Sequence, residues 1–78
     1  MTRAALLQLT SSDDPGENLA RVAREVRAAA ADGADFVLTP EVTNCVSASR
    51  TRQHEVLRPE REDATLAGLR EEAARAGI

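Results

Sequence analysis

Seventy-eight residues allow one small domain at most, near the size at which a single hydrophobic core is barely sufficient. Apolar residues make up 42% of the chain, which places it among globular sequences, yet much of that share is alanine and the only aromatic is one Phe. A net charge of −3 with no basic stripe leaves no electrostatic footprint for nucleic acid.

All ten cationic side chains are arginine, and lysine is absent, which limits the chemistry open to these residues. The single cysteine, Cys45, excludes an internal disulfide and suits a reducing compartment. No stretch approaches the roughly 18 consecutive apolar residues of a membrane span. The run Ala4-Ala5-Leu6-Leu7 is too short for a secretory signal and is followed by no small-residue cleavage site. The expectation is a soluble cytoplasmic protein, with no membrane and no nucleic-acid partner.

In chain order, residues 4 to 10 form an apolar run broken by Gln8, whose length predicts a buried strand. The cluster from Thr10 to Gly16 reads as a loop that ends in a helix start. Asp14 can cap, Pro15 suits the first helical position, and Glu17 three residues after Asp14 resembles a capping box. Leu19, Val22, Ala23, Val26 and Ala30 then recur at spacings of three and four, one apolar stripe on a helix. Glu17–Arg21 and Arg21–Glu25 pairs are expected on its exposed side, and Gly33 should stop it.

A second strand is predicted over residues 34 to 39, centred on Phe36, Val37 and Leu38, and Pro40 should end it because proline cannot donate to a ladder. Strand, helix, strand within forty residues implies a βαβ unit with parallel strands and a right-handed crossover. Residues 42 to 63 read as a long polar loop of the kind that often lines a site. A last helix is predicted over residues 64 to 76, with Leu66, Leu69 and Ala73 inward, Glu71–Arg75 paired outside and Gly77 at its end. Two strands and two amphipathic helices cannot cover both faces of a parallel sheet. The α/β pattern β-α-β-loop-α over residues 1–78 therefore reads as an incomplete part of one domain, stable only marginally by itself.

Ligands of parallel α/β sheets bind beyond the carboxyl ends of the strands. Glu41 lies one residue past the second strand, where a carboxylate on a rigid strand end could act as a general base. A solvated glutamate at a strand terminus is the plainer alternative on position alone. His54 is the only histidine, which argues against a histidine metal site or a Ser-His-Asp arrangement, and no metal or cofactor is expected. Arg50, Arg52, His54 and Arg58 could meet a substrate carboxylate, guanidinium binding it through two hydrogen bonds, although a solvated basic loop accounts for each.

The run Ala5-Leu6-Leu7-Gln8-Leu9-Thr10, then Asn18-Leu19, then Gly33-Ala34-Asp35-Phe36-Val37-Leu38-Thr39-Pro40-Glu41, resembles the opening of the carbon–nitrogen hydrolase (nitrilase) superfamily. The resemblance implies a four-layer α-β-β-α sandwich, usually a homodimer, working with a Glu, a Lys and a Cys. The cysteine attacks a nitrile or amide carbon, the glutamate moves protons and the lysine stabilises the developing charge. Only the glutamate is carried over, onto Glu41. Cys45 follows it too closely to correspond to the family's nucleophile, which comes from a later strand-to-helix turn, and a pocket-lining or incidental thiol is preferred.

Residues Leu7 to Ser12, with Asp14 and Asn18, are most similar to the Nit branch, which hydrolyses amides of small carboxylic acids such as deaminated glutathione and α-keto-acid ω-amides. The branch's aromatic after Pro-Glu is missing from Pro40-Glu41-Val42-Thr43. The implied protein is the amino-terminal part of a linear-carboxamide hydrolase, inactive over these residues alone. The competing reading is a non-enzymatic α/β module that docks or dimerises through its uncovered sheet face.

Overall fold

The computed structural model describes residues 2–78. Its order is β1 (Ala4–Leu6), α1 (Pro15–Ala31), β2 (Phe36–Leu38), α2 (Arg50–Val56), a 3-10 turn at Glu60–Glu62, and α3 (Ala64–Ala76). β1 and β2 pair in parallel with Ala4 opposite Phe36, Ala5 opposite Val37 and Leu6 opposite Leu38. The expected βαβ unit is present, and the mixed α/β class with it.

Both strands are shorter than expected. Leu7 still donates to the Leu38 carbonyl at 3.0 Å, but Pro40 then offers no N–H, so nothing on β2 can continue the ladder toward Thr10. At the other end, Asp35 donates to the Arg3 carbonyl at 2.8 Å and returns a side-chain acceptor to the Arg3 N–H at 3.0 Å.

α1 forms where the apolar stripe predicts it. Asp14 caps it, its Oδ1 accepting from the N–H groups of Gly16 at 3.0 Å and Glu17 at 3.2 Å. The capping box stays half made: the Asp14 N–H donates to Ser12 Oγ, not to Glu17. The expected Glu17–Arg21 and Arg21–Glu25 pairs are not formed among the described residues, and Arg21 reaches back to the Thr10 carbonyl instead. At the far end Gly33, with φ of +92°, and Ala34 return N–H groups to the carbonyls of Ala30 and Ala29, each at 3.0 Å. Those two bonds complete a Schellman stop that a Cβ at residue 33 would strain.

α1 and α3 pack against each other, and both line one groove with Val37 of β2. Val22, 1% exposed, sits at the centre of the core with Ala23, Val26 and Ala34. The helices approach closely where a Cβ on Gly68 would lie 2.8 and 2.9 Å from the Leu19 Cδ atoms. Leu66, Leu69 and Ala73 are half-buried as the pattern predicts, but the fully buried positions of α3 are Thr65 and Glu72. Glu72 is held by Arg27 at 2.7 Å and by Arg75 at 3.4 Å, and its second carboxylate oxygen is buried with no partner. The Glu71–Arg75 pair forms at 2.8 Å.

The opposite sheet face is open, with Leu6 75% exposed beside Phe36 and Leu38. Beyond the β2 edge, an apolar groove of about 350 Å³ runs between the strand and α3, lined by Val26, Phe36, Val37, Leu69, Ala73 and Ile78 among others. Among the described residues no helix is long and apolar enough to cross a membrane.

The stretch read as one long loop contains a helix and a turn. α2 has no buried residue and hence no apolar periodicity to announce it. Ser49 caps it through Oγ at 3.2 Å from the Arg52 N–H, and Gln53 Nε2 ties it to the Ser47 carbonyl at 2.7 Å. Side-chain hydrogen bonds, rather than a hydrophobic face, hold this segment.

Candidate functional site

The carboxyl ends of β1 and β2 lead into two loops, residues 7–14 and 39–49, that lie side by side. Glu41 stands at the start of the second, exposed, and among the described residues it forms no ion pair or hydrogen bond. Its carboxylate is thus free to meet an incoming group. Val42 follows with φ of +53°, in the left-handed region that a β-branched residue rarely adopts. Strain of this kind persists only when the surroundings impose it. Here the Thr43 hydroxyl donates to the Pro40 carbonyl and the Cys45 N–H to the Val42 carbonyl, closing the turn on both sides of Glu41 and Val42.

The two loops are joined by polar bonds. Ser11 Oγ donates to the Thr43 carbonyl at 2.9 Å, and the Val46 N–H donates to the Ser12 carbonyl at 2.9 Å. Between them sits Asn18, 4% exposed. Its Oδ1 accepts from the Ser12 N–H at 2.8 Å and from Ser12 Oγ at 3.3 Å. Its Nδ2 donates to the carbonyls of Ser12 and Asn44, both at 2.8 Å. Every capacity of the carboxamide is used, as burial of a polar group requires. Asn18 had entered only through the family resemblance. A signal was present, however: it falls in phase with Val22 and Val26 on the buried stripe of α1.

Cys45 is buried and lines a cavity of about 400 Å³ with Val42, Asn44, Val46, Ser47, Gln53 and Leu57. Its Sγ lies 3.8 Å from the Asp13 carbonyl. The basic residues divide. Arg52 is occupied, with Nε donating to the Asp13 carbonyl at 3.1 Å and Nη1 to Glu55 at 3.4 Å. Arg50 and His54 are exposed on α2, and Arg58 donates to the neighbouring Leu57 carbonyl. The structure does not bring these four together around one point. No cluster of three or more His, Cys, Asp or Glu side chains suited to a metal ion occurs among the described residues.

With this geometry in place, the family comparison matches the carbon-nitrogen hydrolase family over residues 3–78. The chain belongs to the carbon-nitrogen hydrolase family. Comparisons with curated proteins and with solved structures return no match. Within the carbon-nitrogen hydrolase frame, the βαβ unit and the helix that follows form a portion of the family's α/β fold.

Proposed function

We propose that this chain is the amino-terminal part of a hydrolase of linear carboxamides, with Glu41 as general base. The observation that carries the reading is the family match over residues 3–78 together with the place of Glu41, unpaired and exposed at the carboxyl end of β2. The nucleophilic cysteine and the charge-stabilising lysine are assigned to residues outside 1–78, since the chain contains no lysine and Cys45 is buried against the Asp13 carbonyl.

In this reading Glu41 takes the thiol proton as sulfur attacks the amide carbon, and the lysine stabilises the tetrahedral oxyanion. Glu41 returns the proton to the leaving nitrogen, ammonia departs and a thioester remains. Water, deprotonated by Glu41, then cleaves the thioester to the carboxylic acid and the free thiol. The substrate class is an amide of a small carboxylic acid, such as deaminated glutathione or an α-keto-acid ω-amide. The complete protein is a cytoplasmic homodimer of the four-layer sandwich. Further sheet covering Leu6, Phe36 and Leu38 is consistent with that architecture, since these side chains stand open here.

The test is ammonia release from ω-amides of small dicarboxylic and α-keto acids by the product of the complete reading frame that contains these residues. The frame should encode a later lysine and a cysteine at a strand end, and Glu41→Gln should lower kcat by about 100- to 10,000-fold, the usual contribution of a general base. Turnover near the wild-type rate in Glu41→Gln refutes the role.

The open apolar face supports a second reading, a non-enzymatic module that dimerises through the sheet. A discrete, cooperatively folding dimer of residues 1–78 in sedimentation and thermal unfolding favours it. A molten or aggregating species favours the enzyme.

A further inference from the structure

We propose that Asn18 is a positioning residue for Glu41, acting through the Asn44 carbonyl three residues downstream of it. The inference rests on the reading of Glu41 as the base.

Glu41 is bracketed on both sides. Upstream, the Leu7 N–H to Leu38 carbonyl bond anchors the end of β2. Downstream, the backbone holds Val42 in a left-handed conformation that its side chain disfavours; the Thr43 and Cys45 bonds close that turn locally, and the chain after it is tied from outside as well. Two side chains from the first loop and α1 do this: Ser11 holds the Thr43 carbonyl and Asn18 holds the Asn44 carbonyl. Asn18 is the stronger anchor, because it is rooted in the first turn of α1, is buried, and grips Ser12 at both its N–H and its carbonyl. With the Ser11–Thr43 and Val46–Ser12 bonds, this buried carboxamide ties the two strand-end loops together, and through the second loop it bears on the direction in which Glu41 leaves the sheet. A misplacement of a catalytic group by about 1 Å can cost on the order of 100-fold in rate.

Asn18→Asp separates positioning from bulk structure. It keeps the acceptor facing the Ser12 N–H but replaces the donating nitrogen by one carboxylate oxygen, set against the Ser12 and Asn44 carbonyls. Amide hydrogen exchange and ammonia-release kinetics are measured on the product of the complete reading frame, for wild type, Asn18→Asp and Glu41→Gln. In Asn18→Asp the Val46 amide should exchange roughly 10-fold faster while the Ser12 amide keeps its protection, reporting local opening of the second loop. kcat should fall about 10- to 100-fold with KM little changed, since the base and not the substrate contact is displaced.

An unprotected Val46 amide in the wild type, or unchanged exchange in Asn18→Asp, overturns the tether. Faster exchange with unchanged kcat, while Glu41→Gln has lost turnover, overturns the positioning role and leaves the base assignment standing. Full turnover in Glu41→Gln removes the base assignment and this proposal with it. If Asn18→Asp loses protection throughout the protein, Asn18→Ser decides in its place. It removes the reach to the Asn44 carbonyl without setting a charge against it and should lower kcat several-fold at constant KM, and an unchanged kcat contradicts the proposal.

Discussion

Between α1 and α3 the contact is apolar and repetitive: Val22, Val26 and Leu19 recur at helical spacing on α1, Leu66, Leu69 and Ala73 are half-buried on α3, and the helices come closest where Leu19 faces Gly68. At the strand ends it is polar and singular: one asparagine, two serines and a handful of backbone carbonyls join segments far apart in sequence, Asn18 to Asn44, Ser11 to Thr43 and Ser12 to Val46. The first region can exchange one apolar side chain for another of similar volume at modest cost. The second cannot give up a partner without leaving a buried polar atom unpaired, which costs about 1–3 kcal/mol. A scaffold built by pattern thus carries a site built by individual bonds. That division suits the base proposed at Glu41, which must keep one direction while the core tolerates exchange of similar residues.

The contrast can be broken at several points, and the largest effect belongs to the core. Val22→Ala should destabilise by about 2 kcal/mol, read as a lowered urea midpoint at constant slope, and a loss below about 0.5 kcal/mol would mean that α1 and α3 are not packed as described. The Glu72 cluster sharpens it next. Arg27→Ala leaves a largely buried carboxylate with only Arg75 and should cost about 1–2 kcal/mol, whereas Glu72→Leu, which removes the unpartnered oxygen, should be neutral or stabilising. Equal losses from both would show that the pair itself, not the stranded charge, sets the energy.

Asp14→Ala removes the cap of α1 and should cost about 1 kcal/mol in the same titration. Gly68→Ala is the smallest and the most diagnostic. Helix propensity favours alanine by roughly 1 kcal/mol, but its Cβ would meet Leu19 at under 3 Å, so no net gain is expected. In a Leu19→Ala background the same change should stabilise, and a gain in both backgrounds would deny the close approach.

The helical layer was legible in the sequence because burial writes itself there at a period of three to four, and Gly33 and Gly77 stop both helices where expected. The strand positions were legible but their lengths were not, since the ladder depends on a partner and Pro40 ends the available donors. α2 was missed because no apolar stripe marks it; Ser49, Gln53 and Arg52 hold it through bonds that carry no periodic signature. In the candidate site, the place of Glu41 beyond the second strand was legible from the motif order. The Val42 conformation and the Ser11–Thr43 bond were not, because each depends on which loops meet in space. Asn18 lay between: a polar residue on an apolar stripe announces burial and demands partners, without saying which.

The most direct test of the separation between scaffold and base is ammonia release and the urea midpoint measured on the same samples of wild type, Glu41→Gln and Val22→Ala, in the product of the complete reading frame. Glu41→Gln should keep the wild-type midpoint and lose at least about 100-fold in kcat, while Val22→Ala loses stability and keeps kcat per folded molecule. A Glu41→Gln variant that turns over at the wild-type rate contradicts the account.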